Sequence, residues 1–159
     1  MKKFIIPSIL ILISFTGCGG DTSRPKDLPP LYPCAVTITQ DGKPLDGAVV
    51  NLVAFDKENA KYQASSVTDA AGKAIMSTYG FNGVPAGKYK VCIWKTITEG
   101  VKQYTNKDGE LVNTEGTDYK TVESKYADAK TTPHEIEITG KGKKVEQTFD
   151  VGKPVKIKQ

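Results

Sequence analysis

Turn signals interrupt this chain too often for long helices to form. Between residues 34 and 96, five short runs carry imperfect alternation of apolar and polar side chains. They are Cys34–Gln40 (CAVTITQ), Ala48–Phe55 (AVVNLVAF), Lys61–Thr68 (KYQASSVT), Lys73–Tyr79 (KAIMSTY) and Lys88–Thr96 (KYKVCIWKT). Each is bounded by turn chemistry: Asp41-Gly42, Asp46-Gly47, the polar link 56–60, Asp69-Ala70-Ala71-Gly72, and the glycine-rich GFNGVPAG of residues 80–87. An Asp-Gly pair adopts the positive φ angles of a two-residue hairpin turn, and a period of two places alternate side chains on opposite sheet faces. Two more strand patterns close the chain, His134–Thr139 (HEIEIT) and Val145–Val151 (VEQTFDV), with the GKGKK turn of residues 140–144 between them. Seven short strands with glycine turns predict an all-β fold, a seven-stranded antiparallel β-sandwich.

Before the strands, residues 1–33 have a different character. Lys2 and Lys3 precede the apolar run FIIPSILILISF of residues 4–15, and Thr16-Gly17-Cys18 follows. The run is shorter than the roughly 20 residues a membrane span needs, and a basic start with small residues at the end reads as an export signal. Phe15-Thr16-Gly17-Cys18 resembles a bacterial lipobox, in which the cysteine thiol takes a diacylglyceryl group. Phe15 replaces the usual leucine. Residues 1–17 are therefore expected to be a lipoprotein signal peptide, with Cys18 the acylated first residue of the mature chain. The expected localisation is extracytoplasmic, tethered to the lipid bilayer of a bacterial cell envelope, at the outer membrane in preference to the inner. The alternative is plain secretion with an incidental cysteine. Residues 18–32 hold several prolines and glycines without periodicity, the composition of an extended tether. The body is expected over 33–151 and a basic tail over 152–159.

Charge excludes one class of partner. The formal net charge of +4 falls to +2 once Lys2 and Lys3 leave with the signal. The remaining lysines alternate with acids, so no basic face for nucleic acid is expected. With Cys18 acylated, Cys34 and Cys92 remain, each in a strand pattern and in an oxidising compartment. A Cys34–Cys92 disulfide would close a loop of about 58 residues and add roughly 2–4 kcal/mol. Two buried free thiols are the alternative, because free cysteine packs well in cores.

The segments VTITQDGKPLDGAVV (36–50), TDAAGKA (68–74) and VPAGKYKV (84–91) resemble a transthyretin-like domain, in particular the carboxypeptidase regulatory-like pattern. Lys125-Tyr126-Ala127-Asp128 and Thr131-Thr132-Pro133 resemble small secreted lipoproteins of planctomycetes and related bacteria. The resemblance covers roughly residues 33–96 and the last two strands. It implies a prealbumin-like sandwich and carries fold better than activity. The family's hydroxyisourate-cleaving enzymes use several histidines and end in Tyr-Arg-Gly-Ser. This chain has one histidine, His134, and ends Lys158-Gln159, so that activity is not carried over.

Other constellations are weak. Asp41, Asp46, Asp56 and Asp69 sit at loop ends, yet no calcium-loop spacing links them, and turn aspartates usually cap their own turn. Ser65, Ser66 and Ser77 lack a nucleophile elbow. His134 follows Pro133 at a strand start, where an exposed or edge position is expected. No catalytic residue, metal ligand or cofactor is assigned. Residues 99–132 lose the strand pattern and read as a long polar insertion before the last two strands. Phe81, Trp94, Tyr104, Tyr119 and Tyr126 form a candidate ligand surface that would stack on sugar rings; the alternative is that the tyrosines pin the insertion to the sandwich and Trp94 fills the core. The expected function is a non-catalytic envelope module with a structural or protein-binding role, the alternative a glycan- or small-ligand-binding lipoprotein.

Overall fold

A computed structural model describes residues 24–159. The expected signal peptide, Cys18 and the first part of the expected tether lie outside the described residues. The described chain holds 17 strands: β1 Leu31–Tyr32, β2 Cys34–Gln40, β3 Lys43–Pro44, β4 Val49–Ala54, β5 Ala64–Val67, β6 Lys73–Ile75, β7 Ser77–Thr78, β8 Phe81–Asn82, β9 Val84–Pro85, β10 Gly87–Trp94, β11 Thr96–Glu99, β12 Gln103–Thr105, β13 Leu111–Asn113, β14 Thr117–Lys120, β15 Glu135–Ile138, β16 Val145–Asp150 and β17 Ile157–Lys158. Short 3-10 turns occupy Asn59–Lys61 and Ser124–Tyr126.

Two sheets make the body. The larger has six strands in the order β15-β10-β4-β5-β7-β8, and the smaller has β16-β2-β3 with β6 also on β2. Their facing side chains form one core, with Val36 and Ile38 from β2, Val50 and Leu52 from β4, Tyr89, Val91 and Ile93 from β10, Ile136 and Ile138 from β15, and Phe149 from β16. Each such side chain removed from water contributes about 1.5–3 kcal/mol against chain entropy. The period-two pattern of β10 is obeyed, since Tyr89, Val91 and Ile93 face inward.

The turns follow their sequence chemistry. Thr39 faces Pro44 and Gln40 faces Lys43, which leaves Asp41-Gly42 as the two-residue loop with φ of 52° and 74°, the type I′ geometry expected of Asp-Gly. Asp69 Oδ1 accepts the N–H groups of Ala71 and Lys73 at 2.9 Å each. Gly72 takes φ 72° below it, pressed so close to the Ile38 carbonyl and the Leu45 N–H that no Cβ fits.

Three expectations need correction. First, the sandwich is not purely antiparallel: β16 runs parallel to β2, with Val145 opposite Cys34 and Phe149 opposite Ile38. The chain leaves β15 in one sheet and enters β16 in the other, so the direction of β16 is set by that crossing rather than by a hairpin. Second, the single strand read over 73–79 is two. β6 pairs with β2 in the small sheet and β7 with β5 in the large one. The change of sheet falls at buried Met76, whose N–H donates to the Cys34 carbonyl at 3.0 Å. Strands that switch sheets make the corners of a sandwich. Third, residues 99–132 are not patternless but contain three strands, β12, β13 and β14, and one 3-10 turn.

Within the expected tether, residues from Asp27 onward touch the body. Leu28 is buried, Tyr62 Oη donates to the Asp27 carbonyl, and Leu31–Tyr32 pairs with Val84–Pro85. No helix among the described residues is long and apolar enough to cross a membrane.

Candidate functional site

Cys34 and Cys92 are both buried free thiols, which overturns the expected disulfide. Strand alternation gives the reason. Cys34 lies in the inter-sheet core beside Tyr89, whereas Cys92 sits on β10 between Val91 and Ile93, which face that core, and so points to the opposite side. Burial pushes the Cys34 thiol up to about 11 and raises that of Cys92 as well, so neither is a reactive thiolate at neutral pH.

His134 is held as a structural residue. Its ring lies between Tyr126, at 5.2 Å between centroids and 14° between planes, and Phe149, at 4.9 Å. Its Nε2 is 3.0 Å from the Asp150 carbonyl, an acceptor that requires the proton on Nε2. Loss of water around the ring lowers its pKa, partly opposed by that hydrogen bond. Next to it, the Asp150 carboxylate accepts from Thr39 Oγ1 at 2.7 Å, Gly42 N–H at 3.1 Å and Gly152 N–H at 2.7 Å. The Thr39 and Gly42 bonds are the main cause of its lowered pKa. These groups staple the ends of β2 and β16 together, and the Asp150 carbonyl occupies the His134 Nε2.

The aspartates at loop ends act as local caps: Asp69 on its own turn, and Asp56 on Asn59 at 2.7 Å. Among the described residues no group of three or more His, Cys, Asp or Glu is placed to hold a metal ion.

The five aromatic candidates are dispersed. Tyr126 is in the core, 8% exposed. Trp94 is half-buried at the end of β10 opposite Val49, neither in the inter-sheet core nor flooring a pocket. Phe81 is half-buried on β8, at the far edge of the large sheet. Tyr119 is on β14 with Lys156 Nζ 4.6 Å above its ring. Tyr104 is exposed on β12. The observed aromatic ring pairs are Tyr62–Tyr79, Tyr126–His134 and His134–Phe149, so none joins two of the five.

Instead, the insertion builds an arm. In its inner half Thr96 faces Lys120 and Glu99 faces Thr117; in its outer half Gln103 faces Asn113 and Thr105 faces Leu111. The two halves share one residue register but form separate ladders. The bonded pairs are odd-numbered at the base (Thr121 N–H to the Lys95 carbonyl) and even-numbered at the tip (Thr114 N–H to the Lys102 carbonyl), so the Thr96–Lys120 hairpin is broken around Gly100 and Gly116. Its tip repeats the Asp69 turn. Asn106 Oδ1 accepts from Asp108 N–H at 3.0 Å and Glu110 N–H at 2.9 Å, and Gly109 takes φ 82°. The base is thickened by β17, paired to β14. Among the described residues the outer half pairs with nothing else, and it exposes Val101, Tyr104 and Leu111, the last 69% accessible. An exposed apolar hairpin of two strands is marginal alone and characteristic of a surface completed by a partner. Asn106-x-x-Gly109, echoing Asp69-x-x-Gly72, was the signal in the sequence that marks this hairpin. Its strands are rich in Thr, Gln and Lys, so they show no apolar alternation.

A second exposed feature lies on one side of the sandwich, where β15 and β16 are the edge strands of their sheets. A shallow groove there is lined by Lys88, Glu135, Ile136, Glu137 and Gln147. Lys90 Nζ already meets Glu135 at 2.6 Å, and Lys88 stands opposite Glu137 in the ladder.

No family model matches the chain, and no curated protein matches it. Two solved structures are similar over about three quarters of it. The major pilin subunit of Bacillus cereus aligns at 18% identity and TM-score 0.42, over 77% of this chain and 30% of the pilin. A 9R-lipoxygenase from Cyanothece aligns at 15% identity and TM-score 0.33, over 76% of this chain and 16% of the enzyme. The chain thus spans under a third of either protein, and at these scores neither likeness bears on function.

Proposed function

We propose that this chain is a non-catalytic cell-envelope lipoprotein module that binds a protein partner, built on a transthyretin-like sandwich and anchored to the bilayer through acylated Cys18. The observation that carries the binding role is the hairpin arm: the 25 residues from Thr96 to Lys120 leave the sandwich as two successive ladders, the outer of which exposes apolar side chains and open backbone edges. The turn segments at 36–50, 68–74 and 84–91 support the transthyretin-like reading, and the export run ending at Cys18 supports the anchor. The commitment of His134 to Tyr126, Phe149 and the Asp150 carbonyl supports a scaffold rather than a catalyst.

The test is capture from native envelope extracts with the full-length lipoprotein, followed by reconstitution with the purified captured protein. A saturable complex at physiological salt is the expected result. Failure of every captured protein to bind in purified form overturns the binding role. Mass spectrometry of the membrane fraction should show diacylglyceryl on Cys18, and a mature chain that starts elsewhere overturns the anchor.

A further inference from the structure

The strand from Glu110 to Lys120 has different neighbours along its length. Its inner end, β14, lies between β11 and β17, with Tyr119 opposite Lys158 and Lys120 opposite Ile157. Gln159 N–H donates to the Asp118 carbonyl at 3.0 Å, so the β17 line reaches back to Asp118. Among the described residues no strand continues that line towards the tip, and Leu111–Asn113 pairs only with β12. Thr114 N–H turns inward to the Lys102 carbonyl at 2.7 Å, and Asn106 N–H to that of Glu110 at 2.9 Å. By ladder alternation Val112 bonds inward, while Leu111 and Asn113 aim N–H and C=O outward.

The strand already seated on this edge displays what the edge accepts. Val155-Lys156-Ile157-Lys158 alternates β-branched residues with lysines. Lys156 Nζ reaches Glu99 Oε2 at 2.6 Å and lies over the Tyr119 ring. The vacant stretch is flanked by acids, Glu110 on one side and Glu115 on the other, and neither Lys nor Arg occurs from residue 108 to residue 119. Exposed Leu111, with Tyr104 and Val101 on the facing strand, supplies apolar surface.

Building on the protein-binding role, we propose that the free edge Leu111–Asn113, flanked by Glu110 and Glu115, takes an extended partner segment in which Lys or Arg alternates with β-branched residues, added as a third strand on the outer ladder. A second copy of the arm is a poor occupant, because antiparallel pairing would set one acidic strand against another. The β15 edge is a poor competitor, because Lys90 and Lys88 already supply its counter-charges.

The experiment uses the full chain, labelled with nitrogen-15, and two synthetic peptides, Val-Lys-Ile-Lys-Val-Lys-Ile-Lys and the same sequence with Glu for every Lys. The basic peptide should bind saturably, shift the amides of Leu111 and Asn113, and slow their hydrogen exchange. The acidic peptide should bind about tenfold more weakly or not at all. Combined Glu110→Lys and Glu115→Lys should abolish the preference while the amide spectrum of the sandwich is unchanged. Equal binding of both peptides, or shifts confined to β15 or β16, overturns the proposal. If the charge-reversed chain still binds the native chain's purified envelope partner, the strand assignment fails and the protein-binding role stands. If neither chain binds any purified envelope protein, the broader role fails.

Discussion

Tyr126 lies flat against His134, the ring planes 14° apart and the centroids separated by 5.2 Å. This contact joins the end of the insertion to the start of β15, and the His134 ring in turn meets Phe149, with centroids 4.9 Å apart. Tyr126 is buried and belongs to the main core, so Tyr126→Ala should cost about 3 kcal/mol through lost area and a residual cavity. Urea unfolding of both chains, compared at equal slope, measures it.

The same cluster sets a pH dependence. The His134 pKa is lowered in the folded chain, so between that value and the ordinary value of about 6.5 the unfolded chain binds more protons. Stability is therefore greatest above about pH 6.5 and falls as pH drops through that window. The Asp150 carboxyl is also lowered, from 3.8, and its contribution is lost only at more acid pH. Denaturant titrations should show two separated declines. His134→Gln should remove the upper one and leave the lower.

Gly72 and Gly109 occupy equivalent turn positions with φ of 72° and 82°, but only Gly72 is hemmed in by backbone. Gly109→Ala should cost about 1 kcal/mol for the left-handed conformation alone. Gly72→Ala adds a collision with the Ile38 carbonyl and should cost more than about 2 kcal/mol. Comparing the two melting curves isolates the packing part.

Thr68 Oγ1 is buried, donating to the Leu45 carbonyl at 2.6 Å and accepting from Ala48 N–H at 2.8 Å. Thr68→Val keeps the shape and orphans both backbone groups, at roughly 1–3 kcal/mol each. Thr68→Ser should restore most of the loss. Differential unfolding of the two variants tests it.

The arm tip buries almost nothing of its own. Replacing residues 103–113 by Asn-Gly, a two-residue turn, should leave the stability of the sandwich within about 1 kcal/mol. A collapse of the cooperative transition would show that the tip holds the body together.

Free thiols give a direct check on Cys34 and Cys92. Alkylation without reductant should label neither residue in the folded chain over minutes, and both after unfolding. Peptide mass mapping reads the outcome, and an unlabelled linked pair would contradict the structure.

Much of the local structure was legible in the chain. Asp41-Gly42 specified its hairpin turn, Asp69 and Gly72 specified theirs, and the alternation of β10 specified which side chains face inward. Those features depend on φ preferences and on a period of two, both properties of neighbouring residues. The same alternation also placed Cys92 away from the core. The pairing with Cys34 failed because it needed a relation between two distant strands that the alternation of either one does not contain. The arm was missed for a related reason: its strands bury no face, so no apolar period marks them.

Only the tertiary structure decided which strand lies beside which. It set β16 parallel to β2, split the 73–79 run between two sheets at Met76, and drew Tyr126 into the core while leaving Tyr104 in solvent. Each of those outcomes is chosen by burial and by closure of backbone hydrogen bonds over long separations. The sequence by itself determined a chain of short strands and tight turns with one histidine and an apolar run over residues 4–15. It took packing to turn the remaining polar stretch into an arm with an open, acidic edge.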